Sequence, residues 1–78
     1  MLKIVKATQS GWYNIICPDD HPRHPKHSVG SITLDTLSGE VYYHADAFNS
    51  IEINAPEMQQ ILDYMRRIEN AFKNGKNV

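Results

Sequence analysis

The residues best suited to chemistry lie in or directly beside a short segment rich in proline and histidine, residues 18–27. His21, His24 and His27 recur there at every third position, and Cys17 directly precedes the segment. Thiolate and imidazole are ligands that zinc accepts in a tetrahedral site. These four residues are therefore candidate ligands of a zinc-like centre, although the Cys-x3-His-x2-His-x2-His spacing matches no known zinc signature.

The prolines of this segment favour an extended loop. Each removes a backbone donor and pushes the preceding residue toward extended geometry. Three residues per turn is the period of polyproline II, and its rise of ~3.1 Å per residue places successive imidazoles roughly 9 Å apart. Ligands so spaced cannot bind one metal ion unless the loop folds back. The alternative to the zinc-like centre is a solvated, semi-rigid loop that holds no cofactor.

A nucleophile–base pair can be formed from Cys17 with His21 or His44. A reactive cysteine needs a neighbouring cation and access to solvent. A cysteine that ends an apolar strand is more often buried and inert. Because 78 residues also leave little room for a substrate pocket, we expect that the protein is not an enzyme.

Aromatic residues on predicted strands raise the alternative of a platform that stacks single-stranded nucleic acid. The stacking residues would be Trp12, Tyr13, Tyr42 and Tyr43, with phosphate contacts from Arg23, Lys26, Arg66 and Arg67. The formal net charge is −1, with eight basic and nine acidic side chains. This balance argues against a nucleic-acid partner that is bound through bulk charge.

A surface for another protein is the preferred functional prediction. If a helix covers one face of the sheet, the other face exposes an apolar, tyrosine-rich surface, which is typical of binding sites. The candidate contact residues are Tyr13, Ile15, Tyr42, His44, Arg23 and Lys26. A chain of this size has a thin core, which favours a protein partner or a homodimer. Small phage and mobile-element inhibitors that occupy a surface of a host protein have a similar size and shape.

Four stretches of alternating or β-branched residues predict strands, at residues 2–7, 12–17, 31–37 and 41–44. Asp35 to Gly39 predicts a tight hairpin with Gly39 in the left-handed region. Residues 45–50 are expected to connect, with Phe48 as an anchor. Residues 51–53 form a candidate fifth strand or the extended entry to a helix.

The last third of the chain predicts one amphipathic helix from Asn54 to Lys73. Its apolar positions recur with a period of 3.6 residues, at Met58, Ile61, Leu62, Met65, Ile68 and Phe72. Asn54 and Glu57 form a variant capping box, and Gly75 suits a left-handed C-cap. The six apolar side chains are expected to be covered by the sheet.

These elements predict a single α+β domain spanning residues 1–78. Its architecture is an antiparallel β-meander of four strands, or five with residues 51–53, crossed on one face by the C-terminal helix. One cysteine excludes an internal disulfide. No apolar run reaches the roughly 18 residues of a membrane span, so we expect no membrane partner and a cytoplasmic location.

Overall fold

The computed structural model describes residues 1–49 and 51–76. Its four strands are β1 (Lys3–Lys6), β2 (Trp12–Ile16), β3 (Ser28–Leu34) and β4 (Val41–Ala45), followed by helix α1 (Ala55–Lys73). The strands form one antiparallel sheet in the order β1-β2-β3-β4. The predicted α+β meander with one C-terminal helix is confirmed. Residues 51–53 form no strand, so the candidate fifth strand was wrong.

Short hairpins join β1 to β2 and β3 to β4. Gly11 and Gly39 take φ values of 75° and 78°, the region that glycine enters without a side-chain clash. In the second hairpin the amide of Gly39 donates to the carbonyl of Asp35 at 2.7 Å. The Asp35 carboxylate accepts from the amide of Leu37 at 2.9 Å, and this hydrogen bond lowers the pKa of Asp35 below its usual range. The predicted turn chemistry of residues 35–39 is therefore confirmed.

Helix α1 is capped by side chains at its start and by backbone hydrogen bonds at its end. The Asn54 side chain accepts from the Glu57 amide at 2.9 Å, and the Glu57 carboxylate accepts from the Asn54 amide at 3.1 Å. At the other end the amides of Gly75 and Lys76 donate to the carbonyls of Phe72 and Ala71. That pair of bonds, with Gly75 at φ 71°, is a Schellman motif. The predicted helix start and stop are confirmed.

The core lies between α1 and the sheet face that carries Tyr13, Ile15 and Ile32. Ile61 and Ile68 of the helix are buried against it, and Met65 and Phe72 are partly buried. The expectation that all six apolar helix residues are covered was wrong. Met58 and Leu62 lie on the flank of the stripe and remain 38% and 41% exposed, because the sheet covers a narrower sector than the stripe spans.

Two further predictions, the start of β3 and the anchoring role of Phe48, were wrong. Strand β3 begins at Ser28 rather than at residue 31, because Val29 is drawn into the core despite the weak strand propensity of its neighbours. Phe48 is 97% exposed, so it does not anchor the connector; the turn is fixed instead by Asp46, whose carboxylate accepts from the amides of Phe48 and Asn49. Ser50 of that connector lies outside the described residues.

Helix α1 is fastened to the beginning of the chain by one side-chain amide. Gln60 accepts from the Leu2 amide at 2.9 Å and donates to the Leu2 carbonyl at 2.7 Å. This pair of bonds satisfies backbone groups just before β1 and sets the helix across the sheet. Within residues 1–49 and 51–76, no helix combines the length and apolar character that crossing a membrane requires.

Candidate functional site

The proline–histidine loop is tied to the first turn of α1 by a buried carboxylate. Nε2 of His21 lies 2.7 Å from Oε2 of Glu57, and the Arg23 guanidinium donates to Oε1 at the same distance. Both His21 and Glu57 are buried. Burial raises the pKa of Glu57, but the bonds from His21, the Asn54 amide and Arg23 outweigh burial and hold that pKa below its usual range.

The second ring nitrogen of His21 is also engaged. Nδ1 accepts from the amides of Arg23 and His24, at 3.2 and 3.1 Å. Because Nδ1 accepts, the ring hydrogen lies on Nε2 and is donated to Glu57. His21 therefore organises the loop around itself and fastens the loop to the helix.

The loop is folded back rather than extended. The Cys17 amide donates to the His27 carbonyl at 2.8 Å, and the Pro18 carbonyl accepts from the amides of His21 and Lys26. Lys26 takes a positive φ of 64°. The imidazole centroids of the three loop histidines are 6.2 and 5.8 Å apart in sequence order, so the predicted polyproline II spacing was wrong. Tertiary hydrogen bonds override the local preference of the prolines.

Cys17 lies beneath this loop in the core and is 1% exposed. Burial, reinforced by the nearby Glu57 carboxylate, raises the pKa of the Cys17 thiol. A buried thiol whose pKa is raised is a weak nucleophile in this state. His21, the first candidate base for Cys17, is hydrogen-bonded to Glu57, and His44, the second, lies on the opposite face of the sheet.

The proposed zinc ligands are therefore not arranged as a metal centre. Among residues 1–49 and 51–76, no group of three or more His, Cys, Asp or Glu side chains is placed to hold one ion. His21 uses both ring nitrogens within the protein, and Cys17 is in the core. His24 and His27 remain beside each other on the loop without a third ligand from this set.

The face of the sheet opposite α1 differs from the predicted one. Tyr13 and Ile15 are 4% and 0% exposed, because they face the helix; predicting them as contact residues of an open face was wrong. Side chains alternate along a strand, so their neighbours point to the opposite side. We call this side the open face; it is formed by Lys3, Val5, Trp12, Asn14, Ile16, Ser31, Thr33, Tyr42 and His44.

Three aromatic side chains cross the open face from β2 to β4, and we call them the aromatic row: Trp12, His44 and Tyr42. The rings of Trp12 and His44 are parallel within 9° with centroids 6.5 Å apart. His44 and Tyr42 are also separated by 6.5 Å. Thr33 holds the His44 ring through a 3.0 Å hydrogen bond to Nε2. The row is exposed and positioned by the strands rather than by loops.

The polar groups around the aromatic row include two carboxylates, those of Glu40 and Asp46. A shallow depression of about 180 Å³ beside Trp12 and His44 is also lined by Asn14, Ser31 and Asp46. The hydrogen bond from the Phe48 amide is the largest influence on Asp46 and lowers the pKa of its carboxyl. The Tyr42 hydroxyl donates to the Glu40 carboxylate, which raises the pKa of Tyr42. The open face is therefore acidic along its β4 edge, where Glu40 and Asp46 lie at the two ends of the strand.

Two predicted contact residues lie away from the open face. Arg23 is engaged with Glu57 and also donates to the Glu52 carbonyl at 3.4 Å, and Lys26 is an exposed loop residue. Tyr42 and His44 lie together on the open face, as predicted. Trp12 was predicted only as a contact for nucleic acid, and Glu57 only as part of the helix cap. Alternation places Trp12 on the same face as Asn14 but does not show which face the helix covers, and no local signal indicates the contact of Glu57 with His21.

Comparison of the chain with protein-family models, with curated proteins and with solved structures finds no match.

Proposed function

We propose that the chain is a non-enzymatic protein-binding module and that the open face is its docking surface. The supporting observation is the aromatic row. Trp12 and Tyr42 are 37% and 43% exposed although they lie on regular strands. The adjacent residues of the same strands, Tyr13 and Tyr43, face the helix instead. Rigid, partly exposed aromatic side chains of this kind dominate the energetics of protein interfaces.

Charge favours a protein over a nucleic acid as the partner. Residues 27–65 contain six acidic side chains and neither lysine nor arginine. This stretch supplies β3, β4 and most of the open face. Phosphate groups brought onto the aromatic row would meet Glu40 and Asp46 without a compensating cation from those strands. A module of this kind can act as an inhibitor, of the sort that phages and mobile elements encode, by occupying a functional surface of a host protein.

The test compares three forms of the chain as bait. The face variant carries Trp12→Ala and Tyr42→Ala. The control variant carries Leu37→Ala and Leu62→Ala, which also remove exposed apolar side chains but lie on a turn and on the helix. Each form is checked by circular dichroism and thermal unfolding. Each is then incubated with extract of the cells that encode the chain, and bound proteins are quantified by mass spectrometry.

We expect a specific protein that the wild type and the control variant retain and that the face variant loses by more than tenfold, since interface aromatics each contribute about 2 kcal/mol or more. Equal recovery by all three forms would refute the open face as the docking surface. Trp12 is the one tryptophan of the chain, so its fluorescence reports the nucleic-acid alternative directly. If a thymidine 20-mer quenched this fluorescence, and the quenching weakened as salt increased, the partner would be single-stranded nucleic acid rather than a protein.

A further inference from the structure

Strand β4 ends the sheet, and the hydrogen bonds of its neighbours define which of its backbone groups point outward. The Asp46 amide donates to the Val29 carbonyl and the Asp35 amide donates to the Glu40 carbonyl. In an antiparallel pair, hydrogen-bonded residues alternate with non-bonded ones. The residues of β4 bonded to β3 are therefore Tyr42 and His44. The N–H and C=O groups that point away from the sheet belong to Val41, Tyr43 and Ala45.

These outward groups have no hydrogen-bond partner within the described part of the chain. The opposite edge differs in its chemistry. Strand β1 begins and ends with Lys3 and Lys6, and lysine on an edge is a common protection against unwanted strand pairing. Strand β4 contains neither charge nor proline over its five residues. It is the edge of this sheet that can accept another strand.

The charges beside β4 indicate what such a strand would carry. Glu40 and Asp46 lie immediately before and after β4, within the stretch 27–65 that lacks lysine and arginine. A second copy of the chain fits poorly. Antiparallel self-pairing centred on Tyr43 would place Glu40 opposite the partner's Asp46 at both ends, and like charges directly opposite are destabilising. A strand with basic side chains at its ends would instead complement both carboxylates.

We propose that a basic, extended segment of the partner protein adds to β4 as a fifth strand. The segment pairs with the three N–H and three C=O groups of Val41, Tyr43 and Ala45. Its end residues are lysine or arginine, facing Glu40 and Asp46. Strand addition draws its affinity from the main chain and its specificity from side chains. This inference rests on the proposed function and names the chemistry of the partner.

The probe is a library of capped seven-residue peptides that have lysine at both ends, as the spacing of Glu40 and Asp46 requires, and five randomised positions between. It is selected on the full chain. The blocking variant is Ala45→Pro, which removes an outward donor without removing a bond to β3, as proline is tolerated on edge strands. The second variant is Glu40→Lys, a surface change that leaves the edge backbone intact. Circular dichroism checks the fold of each. A matched library with glutamate at both ends serves as the peptide control.

We expect the wild type to enrich lysine-ended peptides at least tenfold over glutamate-ended ones. Ala45→Pro should lose this enrichment, and Glu40→Lys should reduce or reverse it. In hydrogen exchange of the labelled chain, the amides of Val41, Tyr43 and Ala45 should gain protection when an enriched peptide binds. Those of Tyr42 and His44 should be protected already in the free chain.

Several results would overturn strand addition. They are no enrichment, equal enrichment by Ala45→Pro, or protection that appears elsewhere in the chain. A concentration-dependent dimer in sedimentation equilibrium that Ala45→Pro abolishes would assign the edge to a second copy instead. If the face variant lost the cellular partner and Ala45→Pro retained it, the proposed function would be supported and only strand addition at β4 would be refuted. If neither variant affected the partner, both proposals would fall.

Discussion

Replacing Glu57 with glutamine tests how much the buried His21 cluster contributes to the stability of the fold. The glutamine keeps one oxygen but places an NH2 group against a donor, either Nε2 of His21 or the guanidinium of Arg23. It also removes the charge that receives both hydrogen bonds. We expect Glu57→Gln to fold and to be less stable than the wild type.

The magnitude follows from the burial of each contact. The bond between His21 and Glu57 joins side chains that are 4% and 10% exposed, so its loss costs about 1.5–3 kcal/mol, as for other hydrogen bonds to charged groups. The Arg23 side chain is 39% exposed, and screening limits its share to about 1 kcal/mol or less. The total is about 2–4 kcal/mol. Arg23→Gln alone should cost no more than about 1 kcal/mol.

The effect should depend on pH in one direction. The folded protein holds the pKa of Glu57 below its usual range, so ionised Glu57 stabilises the folded state at any pH above its unfolded value of about 4.3. As the pH falls through the folded value the carboxylate is protonated and this contribution is lost. The difference in unfolding free energy between wild type and Glu57→Gln should therefore be largest near neutrality and shrink below about pH 4.

Urea unfolding followed by circular dichroism and Trp12 fluorescence measures this difference, with Glu52→Gln as the control. Glu52 is an exposed acid whose side chain takes no part in the cluster. A loss for Glu57→Gln below about 0.5 kcal/mol, the range of ordinary surface substitutions, would refute the stabilising role. A loss that stays constant from pH 7 to pH 3 would refute its electrostatic origin.

Three further predictions concern the core and the sheet. Gly30→Ala should cost about 2–3 kcal/mol in urea unfolding, because a Cβ there overlaps a backbone carbonyl of β4; Gly75→Ala, which meets no neighbour but keeps a positive φ, should cost about 1 kcal/mol or less, and the reverse order would contradict the packing at β3. Ile61→Ala should cost about 2–5 kcal/mol and the adjacent Leu62→Ala less than about 1 kcal/mol; equal losses would contradict the flank position of Leu62. Cys17 should react with Ellman's reagent at least about 100-fold more slowly in the native protein than in urea, because it is buried and its pKa is raised; comparable rates would contradict its place in the core.

Local sequence signals predicted the features that depend on neighbours in the chain. The capping box of Asn54 and Glu57, the left-handed Gly39 and the end of the helix at Gly75 each involve residues within a few positions of one another. Their hydrogen bonds join neighbouring backbone groups or short side chains to the adjacent backbone, so the residue types and their spacing were sufficient to predict them.

The sequence could not predict features that depend on distant contacts. Strand β2 has apolar residues on both faces, so alternation did not reveal whether Trp12 or Tyr13 faces the helix. Glu57 reaches His21 across 36 positions, and no local pattern indicates such a contact. The same contact explains the folded loop, since His21 gathers the amides of Arg23 and His24 around its ring. Position 30 needs glycine because β4 approaches its backbone closely, which only the assembled sheet reveals.

The paired hydrogen bonds between Gln60 and Leu2 have a kinetic consequence. They join positions 58 apart in the chain, and closing so long a segment costs chain entropy, so we expect them to form late, as the helix docks on the sheet. Interactions that form late extend the lifetime of the native state more than they accelerate folding. We expect Gln60→Ala to unfold faster and to refold at nearly the wild-type rate in stopped-flow measurements. Slower refolding with unchanged unfolding would mean that the hydrogen bonds between Gln60 and Leu2 form early.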